Sequence, residues 1–233
     1  MRIDIVTLFP HIFDSYFNES ILKRARQSSL VEVCIHNIRD YTVDRHHTTD
    51  DRPYGGGAGM VMMAEPILKT VAMIVHKDGK RKLRRKVVVL SAKGKPFSQT
   101  LAYRYAKNYD ELIFISGRYE GIDERVTKIL KAEEVSIGPY ITTDGDVAAM
   151  VLVSAVARLV PGVIREESLA EESHGDALVK EETEENCQLE YPHYTRPEVL
   201  IWKGKKYRVP KVLLSGDHSN IDKWRKNKRK KGA

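Results

Sequence analysis

Between Arg39 and Gly59 the chain reads RDYTVDRHHTTDDRPYGGGAG, a polar passage rich in reactive side chains. Asp44, His46, His47, Asp50, Asp51, Arg52 and Tyr54 bring carboxylates, imidazoles, a guanidinium and a phenol into one short run. Gly55-Gly56-Gly57-Ala58-Gly59 follows, almost bare of side chains. There the backbone can approach a bulky partner and adopt φ > 0. Spacing argues against two chemistries. No G-x-x-x-x-G-K-[ST] occurs, and no G-x-G-x-x-G follows a strand, so a nucleotide P-loop is disfavoured. His46-His47 has no third ligand at a standard spacing, so no metal centre is expected. A loop that contacts substrate is the better reading.

A second stretch, Ser116 to Met150, reads SGRYEGIDERVTKILKAEEVSIGPYITTDGDVAAM. The apolar run Leu112 to Ile115 enters it like a buried strand, and Gly117-Arg118-Tyr119-Glu120-Gly121 breaks the pattern. A helix-like segment follows, then Val135 to Gly138 ends in another glycine-bearing turn. Ligands in α/β proteins gather at strand C-terminal ends, where main-chain N–H and C=O groups are free. The two turns therefore frame either a pocket built from main chain or two ordinary connecting loops. Arg158 interrupts an apolar helix near its C-terminal end. It reads either as a functional cation or as an arginine that snorkels or meets the helix dipole.

The elements that would position these residues follow from periodicity. Residues 2–8 and 31–35 read as strands, and residues 11–27 carry apolar side chains at helical spacing. Val61 to Val75 reads as a helix, Val87 to Leu90 as a strand buried on both faces, and Ser91 to Pro96 as a turn. Ser98 is a plausible helix cap, Ala148 to Val160 is an apolar helix, and a last helix starts near Ser219. Strand–loop–helix–strand repetition is the pattern of an α/β domain. Residues 163–190 read as a linker.

The 233 residues, 42% hydrophobic and 30% charged, suit one large domain, alone or with a small one. No apolar run approaches the ~20 residues of a membrane helix. The N-terminus reads as a strand rather than a signal peptide. With only Cys34 and Cys187, neither a disulfide scaffold nor structural zinc is expected, and the cytoplasm is the default location. The net charge of +7 is clustered in residues 77–86 and in the tail from Lys223, around an acidic run at 166–185. Such blocks suit either a polyanionic partner or a solvated surface with a basic tail.

These features together resemble one family, the bacterial tRNA (guanine-N1)-methyltransferases, TrmD type of the SPOUT class. The resemblance is carried by Phe9-Pro10, Asp44-Arg45-His46, Asp50 to Gly57, GRYEGIDERV from Gly117, Ser136-Ile137-Gly138, Pro161-Gly162-Val163, Tyr191 to Pro197, and Leu214 to His218. The segments span nearly the whole chain in order. The resemblance implies an α/β fold, a SPOUT-type parallel sheet with a C-terminal trefoil knot, plus a small, mainly helical C-terminal domain. Residues 1–162 would form the S-adenosylmethionine domain, 163–190 a linker, and 191–233 a tRNA-binding domain. Nothing in the pattern points to a knot, which physics makes rare. The family also implies a homodimer whose active sites are shared between chains.

The implied cofactor is S-adenosyl-L-methionine, with Mg²⁺ left open beside it. Its site would comprise Leu90, Ser91 and Ala92; Gly117, Tyr119, Glu120 and Gly121; and Ser136, Ile137, Gly138, Tyr140, Thr142 and Gly145. Asp50, Arg52, Tyr54, Gly55, Gly56, Gly57, His193, Arg196 and the basic tail would contact tRNA. The methyl group would go to N1 of guanosine 37. Glu172, in Glu172-Ser173, matches the family's aspartate before serine and is the implied general base, with Asp176 as the alternative. Arg158 would stabilise charge on O6. A homologue that binds RNA without catalysis, or one that methylates another RNA, are the competing readings. The third loop departs from the family pattern SIGDY, TGGE and a proline. Here Pro139 removes an N–H, Asp144 puts a side chain where a glycine would approach the ligand, and Ala148 replaces the proline. Ala92 likewise stands for a usual proline.

Overall fold

Every residue of Glu111–Ser116 is buried, as expected of a strand covered on both faces. In the computed structural model, which describes residues 1–77, 82–165 and 191–229, this strand lies at the centre of a five-stranded sheet. The strands in chain order are β1 (Arg2–Thr7), β2 (Glu32–Asn37), β3 (Asp50–Asp51), β4 (Val61–Met62), β5 (Arg85–Pro96), β6 (Glu111–Ser116) and β7 (Glu133–Ser136). The large sheet has the order β2-β1-β6-β5-β7, and its pairs are parallel. Parallel neighbours need crossover connections, and helices supply them.

The helices are α1 (Asp14–Phe17), α2 (Ser20–Gln27), α3 (Ala64–Lys77), α4 (Gln99–Asn108), α5 (Glu124–Leu130) and α6 (Asp146–Ala157). Alternation along the strands sends two sets of side chains to opposite faces. Ile3, Ile5, Leu112, Phe114 and Val88 pack with Phe13, Leu22, Tyr105 and the buried side of α6. Val6, Ile113, Ile115 and Val89 pack with Ile67, Val71 and Ile74 of α3 and Val126 of α5. Each fully buried large aliphatic or aromatic side chain contributes about 1.5–3 kcal/mol.

Several elements differ from their sequence reading for local reasons. The helix expected over 11–27 is broken, because Ser20 takes φ 50°. Arg26 bridges the break by donating to the Phe17 carbonyl (3.1 Å) and the Asn18 side chain (2.8 Å). Val61–Met62 pairs with Asp50–Asp51 as a short antiparallel ladder, so α3 begins only at Ala64. β5 continues through residues expected to form a turn, with a register shift against β7 between Leu90 and Lys95.

Within β1, Asp4 is fully buried and accepts bonds from Arg2 Nε (2.9 Å) and Nη2 (2.8 Å), with His36 Nε2 of β2 at 2.7 Å. Burial alone would raise its pKa, but the bonds to His36 and Arg2 outweigh it and hold the carboxyl below its ordinary range. Glu111, also fully buried, meets Arg85 and Arg2.

The chain divides into two compact units, Met1–Ile164 and Arg165–Ala233. In the second, β8 (Val199–Trp202) and β9 (Lys205–Arg208) form an antiparallel hairpin that periodicity did not reveal. A 3₁₀ turn at Lys211–Leu214 leads to α7 (His218–Lys228), capped by Asp217, which accepts from the Asn220 N–H (3.1 Å). The described part of this unit is thus a hairpin, a 3₁₀ turn and one α-helix, where a mainly helical domain is expected. Among the described residues, no helix is long and apolar enough to cross a membrane.

Candidate functional site

Three chain segments meet at the C-terminal ends of β6, β5 and β7 and enclose a cavity of about 660 Å³. They are the middle of β5, the loop after β6, and the loop between β7 and α6. Twelve of the thirteen residues expected to hold the cofactor line it: Leu90, Ser91, Ala92, Gly117, Tyr119, Glu120, Gly121, Ser136, Ile137, Tyr140, Thr142 and Gly145. Gly138 stands behind the wall. A Cβ there would lie 2.4 Å from the Tyr140 ring, whose hydroxyl donates to the Ile137 carbonyl (3.1 Å). Arg118, Ile122, Asp144 and Ala148 also line the cavity and were not singled out as site residues.

The second and third loops are held in direct main-chain contact. The Gly145 N–H donates to the Gly117 carbonyl (2.8 Å). A Cβ on Gly145 would sit 2.8 Å from Gly117 N and 3.0 Å from Ser116 Oγ, so no side chain fits. Tyr119 at φ 58° and Gly121 at φ 130° turn the second loop sharply enough to present backbone to the cavity.

Side chains complete the clasp. Arg118 Nη2 lies 3.3 Å from Asp144 Oδ2 and donates to Asp146 Oδ2 at 3.1 Å. The Thr7 hydroxyl donates to Asp146 Oδ1 (2.7 Å), and the guanidinium sits 4.1 Å from the Phe9 ring centroid. The Asp144 side chain therefore does not stand free where a ligand would approach. It is nearly buried, and its Oδ1 accepts from the N–H groups of Asp146 (2.9 Å) and Val147 (3.3 Å), capping α6. Sequence spacing gives no signal for this cluster, because Thr7 and Asp146 are 139 residues apart.

Lys93, the other cation in the wall, is paired with Glu124 (2.8 Å) and Glu134 (3.3 Å). The bond to Glu124 raises its pKa, so it stays charged. Both wall cations are thus neutralised from within. Such a cavity offers main-chain groups and apolar walls from Leu90, Val135, Ile137 and Ala148, and among the described residues it leaves no unpaired cation for a pyrophosphate. A nucleoside with a short zwitterionic tail fits that donor set better than a dinucleotide.

The polar passage leads into the same place. The Glu120 N–H donates to the Met60 carbonyl (3.0 Å), and Met62 N–H donates to the Gly121 carbonyl (2.9 Å). Asp50 lies in β3, while Arg52, Tyr54, Gly55, Gly56 and Gly57 form an exposed loop, with Tyr54 fully open to solvent. Arg158 does not reach the cavity. It caps the far end of α6, thirteen residues on, or about 20 Å of helix from Gly145. His193 and Arg196 lie in the second unit, where the ring of His193 packs on Tyr191 at 4.7 Å. Glu172 and Asp176 lie outside the described residues. Among the described residues, no group of three His, Cys, Asp or Glu side chains is arranged to hold a metal ion.

Comparison with known proteins bears on this geometry. The family profile described as tRNA (Guanine-1)-methyltransferase TrmD matches residues 1–233. Similar proteins include the tRNA (guanine-N(1)-)-methyltransferase of Thermomicrobium roseum, 49% identical over 97% of this chain and 78% of that protein. That of Chloroflexus aggregans is 50% identical over 98% and 83%, and that of Carboxydothermus hydrogenoformans is 50% identical over 97% and 81%. With a profile match over its whole length, the chain belongs to the TrmD family of tRNA (guanine-1)-methyltransferases.

Proposed function

We propose that this protein transfers a methyl group from S-adenosyl-L-methionine to N1 of guanosine 37 in tRNA. The observation that carries the reading is the three-loop cavity with internally neutralised cations, in a chain of the TrmD family. The residues set out above as cofactor-binding would grip the ligand through main chain. Gly138 acts indirectly, by letting the Tyr140 ring close over it. When bound, the cofactor supplies an electrophilic methyl on a sulfonium, so no further activation of the donor is required.

The protein's task is then the acceptor. N1 of neutral guanine carries a proton, and Glu172 takes it as general base, with Asp176 as the alternative. Charge moves to O6 as the proton leaves, and Arg158 stabilises it there. Arg52, Tyr54 and the Gly55–Gly57 loop, with Asp50 holding their base, receive the RNA beside the cavity; His193 and Arg196 of the second unit hold it elsewhere. Most of the remaining rate comes from positioning.

The position of Arg158 supports a homodimer with shared sites. An arginine about 20 Å of helix beyond Gly145 serves the cavity only when a second copy brings its own Arg158 across. The family's trefoil knot belongs to the same reading. We assign residues 1–162 to the cofactor domain, 163–190 to the linker, and 191–233 to tRNA binding, in a cytoplasmic enzyme.

Calorimetry tests the cofactor assignment. The protein should bind S-adenosylmethionine at one site per chain without added metal. No heat of binding at millimolar ligand would favour an RNA-binding homologue without catalysis.

A further inference from the structure

Among the described residues, the β8–β9 hairpin exposes apolar surface that its own unit does not cover. Lys203 and Gly204 both take positive φ (47° and 74°), which makes a tight two-residue turn and fixes the register. Leu200 then faces Tyr207 and Trp202 faces Lys205 across the ladder, so these four share one face. Leu200, Trp202 and Tyr207 are each more than half exposed, at 51, 63 and 53%. Ile201, at 62%, is exposed on the opposite face. A two-stranded hairpin with both faces in water is marginal by itself. Aromatic side chains held open on such a scaffold therefore call for a partner.

Charge identifies the partner's chemistry. From Val199 to Gly216 there is no carboxylate, while Lys203, Lys205, Lys206, Arg208 and Lys211 are all cations. A second copy of the same hairpin would be repelled. An aromatic face set among these cations fits a polyanion that carries flat, stackable groups. Unpaired nucleotides meet both needs, since bases stack on aromatic rings and phosphates meet lysine and arginine. Paired RNA fits less well, because its bases are already stacked and its major groove is narrow.

We infer that the hairpin is a stacking platform for unpaired nucleotides of the tRNA, with Trp202 and Tyr207 as the base contacts and Lys205 and Lys206 as phosphate contacts. The inference rests on the tRNA reading only for the source of the RNA. It adds a contact that depends on aromatic faces rather than on charge alone.

The test uses the full-length protein with unmodified tRNA transcript and with unstructured RNA. Binding is measured across a salt series, with kcat and KM for methyl transfer. Trp202→Ala should weaken tRNA binding about tenfold or more, with the salt slope, S-adenosylmethionine affinity and kcat unchanged. Trp202→Phe should restore most of the loss. Lys205→Ala should instead flatten the salt slope by about 0.7. Unchanged tRNA affinity in both Trp202→Ala and Tyr207→Ala, with wild-type kcat, would overturn the platform while leaving the methyltransferase reading intact. So would a Trp202→Ala protein that loses only self-association by sedimentation, or only binding to vesicles containing phosphatidylserine. If wild type binds unstructured RNA through Trp202 but never binds or methylates tRNA, the platform stands and the tRNA reading falls.

Discussion

Arg158→Ala and Gly145→Val proteins, each inactive alone, will regain methyl transfer when co-expressed in one cell. Gly145→Val forces a side chain to within 2.8 Å of Gly117 N, so the second and third loops must part and the cofactor cavity opens. Arg158→Ala removes the cation proposed to stabilise charge on O6, a loss of about 10²–10³ in kcat for such groups. In a mixed dimer with sites shared across chains, one site has both defects and the other has neither. Random pairing makes half the dimers mixed, so roughly a quarter of wild-type sites return. If Arg158 served the cavity of its own chain, every site would keep one defect and no activity would return. Incorporation of radiolabelled methyl into tRNA by the co-purified mixed dimer distinguishes the two outcomes.

Gly94→Ala will destabilise the first unit more than other single-methyl additions. Gly94 lies where β5 shifts register against β7, and its Cβ would sit 2.5 Å from Val135 N, 2.6 Å from the Glu134 carbonyl carbon and 2.7 Å from that of Val135. These are backbone atoms inside a ladder, so no flexible side chain can yield. The cost should reach the upper range for overpacking, about 3 kcal/mol. For a chain of this size that lowers Tm by roughly 6–12 °C. Gly117→Ala is the control: its Cβ meets neighbours at 3.5–3.6 Å, ordinary contact distance, and should shift Tm much less. Equal Tm values for the two variants, measured by scanning calorimetry, would contradict the close approach.

The strands of the large sheet are legible because burial on both faces leaves unbroken apolar runs, as in Leu112 to Ile115 and Val87 to Leu90. The cavity loops are legible because glycines and strand ends fall together. What escaped reading depends on distance or context. The β8–β9 hairpin hides its alternation because both faces are exposed and cations stand among its aromatics. The break at Ser20 is stabilised by Arg26, a contact that helical spacing cannot announce. The Arg118 clasp draws on Thr7 and Phe9 from the end of β1, so Asp144, which reads as an obstruction in sequence, proves to be a helix cap and an ion-pair partner. The placement of Glu172 rests on resemblance alone.

The central claim is methyl transfer to a defined atom, and one measurement reaches it directly. Purified protein, radiolabelled S-adenosylmethionine and an unmodified tRNA transcript with guanosine at positions 36 and 37 are combined, and the product is digested and mapped. The expected result is 1-methylguanosine at position 37, absent when that guanosine is replaced by adenosine and sharply reduced in Glu172→Gln. A methyl group at another position, or none with cofactor bound, would contradict the assignment.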